Sequence, residues 1–332
     1  MFNKYRLNFV FLLFSVFLVV IFSNLFALQV LDNEENAQQI ENQNFEVFYI
    51  PAARGEIFDI NGNKLASSYL EPYLFLNLRK INDDNKNIYV QLLEFNFEDI
   101  TSSEIDEFFK SNDVLIEIIN LSEYNTDVRL RLLDYEAFEV FNLPTRTYPY
   151  KELFSHVIGY VGKPNQDEQN DFPNSINNEI VGKTGLERYY ENTISGVASE
   201  VIVQNGNIVE IKPPISGRDI QLVLNTETQN IVKESLQEGI TLANKNFDTI
   251  NLIERGAVVV QKIDTGEIVS MVSLPDFDPN QFVLGISEFD FKQLNRTQAF
   301  NNFAIQGLYP PGSVFKVVAY WLALNEGIFP ET

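Results

Sequence analysis

The 332-residue chain has no cysteine, which excludes a disulfide framework and every form of thiol chemistry. It has a single histidine, His156, and no clustered side chains at metal-ligand spacing. A glycine-rich phosphate loop is absent too, so neither a metal nor a cofactor is read from the chain. Basic residues are scarce: 24 Lys and Arg against 46 Asp and Glu leave a formal charge of -22. Nothing in such a chain would neutralise phosphates, so nucleic acid is excluded as a partner. The acidic surface favours solubility and points to no particular substrate. What remains, 45% hydrophobic and 21% charged residues, is a globular composition long enough for two domains.

One long apolar run is present. After Lys4 and Arg6 the chain is uncharged from Leu7 to Leu31, with Asn8, Ser15, Ser23 and Asn24 among its few polar interruptions. A helix of that length spans about 30 Å, the hydrocarbon thickness of a bilayer. Basic residues precede the run, and Asp32, Glu34 and Glu35 follow it. The positive-inside bias then places the tail in the cytoplasm and the body outside. No A-x-A site closes the run, so residues 1–31 are read as an uncleaved single-pass anchor rather than a signal peptide.

Beyond the anchor, residues 32–47 are polar and read as a juxtamembrane helix or stalk. Arg54 to Ala66, RGEIFDINGNKLA, signals a hairpin turning at Asn61-Gly62, a pair suited to a type I′ turn. Segment 82–87 reads as a loop, and 88–141 as two or three helices, one of them Thr101 to Lys110. Residues 163–181 read as a polar loop, and 200–224 as short strands broken at Pro213-Pro214 and Ser216-Gly217. A domain boundary is placed there, between 216 and 217. Thr226 to Ala243 has helical periodicity, and Ala257–Ile263 and Glu267–Ser273 read as a strand pair. The run Ala257 to Val260 is apolar on both faces and predicts cover on both sides. A helix followed by a strong hairpin opens an α+β domain.

Chemistry concentrates in GLYPPGSVFKVVAYWLALNEG, Gly307 to Gly327. Pro310-Pro311-Gly312 halts the preceding chain and leaves little bulk beside Ser313. Val314 to Leu324 is almost wholly apolar and predicts a helix stopping at Gly327. Ser313 at its start would face free N–H groups and the positive dipole end. Lys316 lies about one turn on, within reach of the Ser313 hydroxyl. A serine needs a neighbour to take its proton, and a lysine does so when burial lowers its pKa. The S-x-x-K pattern arises roughly once by chance in a chain of this length; the prolines before it and the apolar helix after it give it weight.

These segments resemble class B penicillin-binding proteins, nearest to the cell-elongation member. RGEIFDINGNKLA is similar to that family's RGxIxDRNGxxLA, with Ile60 where an arginine is usual. RTYPYKELFSHVIGYVG (146–162), GKTGLERYYENTISG (182–196), RGAVVVQKIDTGEIVSMVSLPDFDPNQFVLGIS (255–287) and QGLYPPGSVFK (306–316) resemble further family segments. Asn302-Phe303-Ala304 departs from the usual Asn-Arg-Ala.

The resemblance implies an anchor over 1–31, an elongated pedestal of dimerisation type over 32–216, and the front of a β-lactamase-like transpeptidase domain over 217–332. It implies a peptidoglycan D,D-transpeptidase that forms an acyl-enzyme on Ser313, with Lys316 as general base. Stem peptides and β-lactams are the implied ligands. A SEDS-type membrane glycosyltransferase and other elongation-machinery proteins are the implied partners, with the body on the outer face of the cytoplasmic membrane. The family's S-x-N and K-T-G triplets belong after Lys316, so the 332 residues are expected to be the inactive front part of a longer protein.

Lys183-Thr184-Gly185 spells K-T-G but stands well before Ser313, inside the pedestal, and reads as structural. His156, between apolar neighbours in HVIGYVG, reads as a packing residue. The carboxylates of Asp276 and Asp278 read as loop residues. A β-lactamase or D,D-carboxypeptidase would lack such a pedestal, and a β-lactam sensor would carry more membrane helices. A non-catalytic wall-synthesis scaffold, or an interaction role for the pedestal alone, stays open.

Overall fold

The computed structural model describes residues 14–23, 45–172, 180–246, 252–283 and 285–328. The expected anchor falls outside them except for a helix over 14–23, and the expected stalk except for Phe45 onward. Among the described residues no helix is long and apolar enough to cross a membrane. Strands follow in chain order as β1 (Phe45–Ile50), β2 (Ile57–Phe58), β3 (Lys64–Asn77), β4 (Leu115–Asn120), β5 (Phe138–Thr147) and β6 (Val161–Gly162). They continue as β7 (Val181–Gly182), β8 (Ser199–Gln204), β9 (Asn207–Lys212), β10 (Ile220–Gln221), β11 (Gly256–Gln261) and β12 (Ile268–Leu274). The chain forms two compact units, each assembled from separated segments.

The first unit combines Met1–Tyr49, Tyr73–Phe141 and Glu200–Lys212. In β3 alternate side chains point to opposite faces, and both faces are covered here. Leu74 and Leu76 enter a core with Tyr89, Leu93, Phe97, Ile105 and Leu132, while Phe75 meets Phe48 and Phe141 edge-on. Helix Lys86–Asn96 supplies Tyr89 and Leu93, four residues apart and so on one face. Helix Ser102–Phe108 starts on a capping box between Thr101 and Glu104 and inserts Ile105.

Strands β4 and β5 lie where the sequence reading has only helices. β4, LIEIIN, is a short apolar run whose periodicity does not separate strand from helix. Its pairing with β3, from Tyr73↔Asn120 to Asn77↔Leu115, settles the matter in the fold. A second sheet runs β1-β8-β9. Its hairpin turns on Asn205 and Gly206, with φ of 50° and 79°, the left-handed pair that type I′ geometry demands. Asn77 Nδ2 donates to the Gly206 carbonyl at 3.0 Å.

The second unit combines Ile50–Pro72, Asn142–Ser199 and Pro213–Thr332. β2 pairs antiparallel with β3 and parallel with β10. The expected hairpin is present, but its connection is not the two-residue type I′ turn expected at Asn61-Gly62. Only Gly62 has a positive φ there, 85°, and the loop is built around Asp59, whose carboxylate accepts from the N–H groups of Asn61 and Asn63 at 2.8 and 2.9 Å. Pro72, in the middle of β3, falls between the β2 pairing (to Ala66) and the β4 pairing (from Tyr73), and β5 pairs with the same strand.

Helix Thr226–Asn246 packs on the antiparallel pair β11–β12. It is fixed there by Gln229, 1% exposed. The Gln229 Oε1 accepts from Ser270 Oγ and the Met271 N–H, while Nε2 donates to the carbonyls of Leu153 and Met271. All four capacities of that buried amide are used. The expected two-sided cover of β11 is incomplete: helix Thr226–Asn246 and the short helix Phe303–Gln306 both reach the strand, yet Val259 is 44% exposed. An apolar groove of about 410 Å³ remains between helix and β11, lined by Leu236, Ile240, Ile253 and Val258.

Candidate active site

Ser313 lies in a 3₁₀ turn, Gly312–Phe315, and Lys316 is the first residue of helix Lys316–Asn325. The helix therefore opens one turn later than expected. Neither Pro310 nor Pro311 has an N–H to donate, and Gly312 takes a φ of 54°, so the chain enters through a tight i→i+3 turn. Sequence adjacency puts the two residues on consecutive turns, and both are exposed. The apolar run from Val314 is open to solvent: Val314 is 78% exposed, Val317 73% and Trp321 62%. A helix of that composition is stable in water only when covered. The dry surroundings that a lysine base requires are thus not formed by the described residues.

Upstream, Asn302 caps the short helix Phe303–Gln306, its Oδ1 accepting from the Ala304 N–H. Phe303 stands where the resembling family has arginine, and the guanidinium of Arg255 lies 5.7 Å from its ring centroid. The cation is supplied by the residue just before β11.

His156 does not approach Ser313 in any recorded contact. Its Nε2 donates to the Ala299 carbonyl at 2.8 Å, and its ring meets Phe277 edge-on. Burial pushes its pKa below the ordinary 6.5, outweighing the Ala299 hydrogen bond and Asp276. Lys183 of the early K-T-G triplet is paired with Glu168 at 2.5 Å. Gly185 has a φ of 59° and a Cβ there would lie 2.6 Å from the Gly159 nitrogen, so that triplet makes a tight turn. Asp276 pairs with Lys233 at 2.6 Å, and Asp278 accepts from Asn280. Among the described residues no cluster could hold a metal ion.

The most highly organised charges were not singled out from sequence. Arg54, Arg146, Glu187 and Glu191 meet in the interior of the second unit, at 3%, 1%, 0% and 0% exposure. Arg54 Nη2 lies 2.8 Å from Glu187 Oε2 and 2.7 Å from Glu191 Oε2. Arg146 Nε donates to Glu187 Oε1 at 2.8 Å, with its Nη2 2.7 Å from the same oxygen. Tyr148 Oη and the Gly182 N–H complete the acceptors' shells. Two cations and two anions cancel, which is the condition for burying charge at all. Burial opposes the Glu187 charge, yet Arg146 and Arg54 hold its pKa below the carboxylate norm. Burial likewise opposes the Arg54 charge, and Glu187 and Glu191 raise its pKa regardless. The signal was there in sequence: Arg54, Arg146 and Glu187 each come from a different family-like segment.

Comparison with known proteins agrees with those segments. Residues 49–222 match the penicillin-binding protein dimerisation domain, and 256–332 the penicillin-binding protein transpeptidase domain. Curated relatives include the peptidoglycan D,D-transpeptidase MrdA of Acinetobacter baumannii, 31% identical over 94% of this chain and 46% of that protein. The MrdA of Escherichia coli K12 is 31% identical over 93% of this chain and 49% of its own length. The chain thus spans about half the length of the curated relatives it matches. A solved complex between a penicillin-binding protein (PBP2) and MreC from Helicobacter pylori shares the fold with a TM-score of 0.69 at 24% identity. It covers 87% of this chain and 54% of that one. With its dimerisation-domain match alone spanning more than half of its residues, the chain belongs to the penicillin-binding protein family.

Proposed function

We propose that this chain is the anchor-side, pedestal and nucleophile-bearing part of a peptidoglycan D,D-transpeptidase. The observation that carries the reading is the transpeptidase match over 256–332, which takes in Pro310-Pro311-Gly312-Ser313-Val314-Phe315-Lys316. In this reading the Ser313 Oγ attacks the carbonyl of the penultimate D-Ala while the neutral Lys316 amine takes its proton. The C–N bond to the terminal D-Ala breaks, and that amine leaves with the proton. An amine of a second stem peptide then attacks the ester, forms the cross-link and frees Ser313. A β-lactam follows the first half and stops at the acyl-enzyme. Lys316 needs apolar cover to lose its proton near neutral pH, and the S-x-N and K-T-G segments of a longer protein would bring that cover.

The body is placed outside the cytoplasmic membrane on the anchor read at 7–31. Partners of the SEDS glycosyltransferase and MreC kinds follow from the family and from the solved MreC complex. Fluorescent penicillin tests the chemistry. A form extended through both later triplets takes up label, Ser313→Ala takes up none, and the 332-residue chain stays unlabelled. Label retained on Ser313→Ala overturns the nucleophile; label on the 332-residue chain overturns the need for further segments.

A further inference from the structure

The segment leading to Ser313 hangs from one buried hydroxyl. Ser273, near the end of β12, is 3% exposed. Its Oγ donates to the Asn301 carbonyl at 3.2 Å and accepts the Phe303 N–H at 2.9 Å. The two bonds grip the backbone on either side of Asn302. The turn beyond is closed on itself: the Asn302 N–H donates to Gln306 Oε1 at 2.9 Å, and the Gln306 N–H returns to the Asn302 carbonyl at 2.8 Å. β12 is in turn immobilised by the saturated amide of Gln229. Rigid hydrogen bonding therefore runs from helix Thr226–Asn246 through β12 and Ser273 to Gln306.

Past that point the ties stop. Leu308 to Gly312 are exposed, and among the described residues the next backbone bond is from the Val314 N–H to the Pro311 carbonyl. Gly307 leaves no room for a side chain, since a Cβ would lie 2.5 Å from the Phe303 carbonyl oxygen. Pro310 and Pro311, whose rings fix φ, restrict the stretch between Gln306 and Ser313. With φ fixed at two of the residues before Gly312, a shift at Asn302 is passed toward Ser313 rather than wholly absorbed.

We propose that Ser273 is a positioning residue for the Ser313 nucleophile, fixing the register of the turn from which the nucleophile segment departs. The proposal rests on the reading of Ser313 given above. Ser273→Ala deletes both bonds and leaves the part-buried Phe303 N–H without its acceptor. Ser273→Thr keeps the hydroxyl on a residue type suited to a strand.

Two measurements decide it. Amide hydrogen exchange on the 332-residue chain needs no activity. Ser273→Ala speeds exchange at Phe303 about tenfold while Ser273→Thr does not; equal rates in all three proteins overturn the tie. Penicillin acylation is then timed on the extended form. Ser273→Ala lowers the saturating acylation rate tenfold or more, because small misplacement of a reacting atom costs on the order of a hundredfold at 1 Å. The noncovalent dissociation constant and final label stoichiometry hold, and Ser273→Thr recovers the rate. A wild-type rate in Ser273→Ala, or a fall in stoichiometry alone, overturns the positioning role. An extended wild type that never acylates sinks the Ser313 reading itself and this role with it, an outcome separate from any Ser273 difference.

Discussion

Glu187 lies between two arginines with no surface of its own in water, so no solvent can substitute for it. Glu187→Gln leaves two buried guanidinium groups facing one carboxylate. Breaking a buried pair from one side costs about 3–5 kcal/mol, and urea unfolding of this variant should show a loss of that size. Tyr148→Phe removes only one hydroxyl contact, 3.3 Å from Glu187 Oε1, and should cost about 1 kcal/mol by the same assay. Gly159 is constrained sterically. Its φ is 81° and a Cβ would lie 2.0 Å from the Thr184 carbonyl oxygen. Gly159→Ala should therefore destabilise well beyond an ordinary glycine substitution, seen as a lowered Tm and poor soluble yield.

Among elements, helix Lys316–Asn325 has the clearest mismatch between composition and surroundings. Trp321, the chain's single tryptophan, sits on it at 62% exposure, so its fluorescence reports this helix alone. The 332-residue chain should emit at the long wavelength of hydrated indole and be quenched readily by iodide. An extended form should emit to the blue and resist quenching, and identical spectra would show that nothing further covers the helix. Local chemistry explains why this helix and Thr226–Asn246 were legible in sequence. Each has a long apolar pattern at helical spacing, and the later one also a marked stop at Gly327. β4 and β5 were not legible because a short apolar run takes its state from its partner strand, here β3. The Asn61-Gly62 pair misled about turn type for a related reason: Asp59 offers a competing acceptor within the loop. Edge strand β9 is guarded by a register shift, by Glu210 and Lys212, and by Pro213 after its end, the usual protection against pairing with another chain.

For the whole molecule, acid stability follows from groups whose folded pKa values are all depressed. Asp59 falls from 3.8 to about 2: burial opposes its charge, but Thr226, Asn63 and backbone N–H groups outweigh that. Its contribution is complete above 3.8 and disappears as pH drops toward about 2. Glu187, ordinarily at 4.5, contributes fully above that value and loses its contribution below it. Burial holds the His156 pKa below the value near 6.5 that it has in the unfolded chain, which takes up the proton first, so its share also declines with falling pH. Denaturant titrations should give a plateau above pH 6.5, a shallow decline beneath it that His156→Gln removes, and a steep loss under pH 4.5. The chemistry-bearing segment was legible because its residues are contiguous. The two units were not, because Arg54 and Glu187 are 133 positions apart and no local pattern records a partnership of that span.

That separation also sets an order of events during synthesis. Arg54 leaves the ribosome early, and its guanidinium stays solvated or misallied until both glutamates, the farther one 137 residues behind it, have followed. The block that includes Ser313 thus cannot lock from its leading end, and loop-closure entropy on this scale makes its assembly slow. A chaperone acting on the nascent protein would find its longest working window between the appearance of the first motif and that of the third.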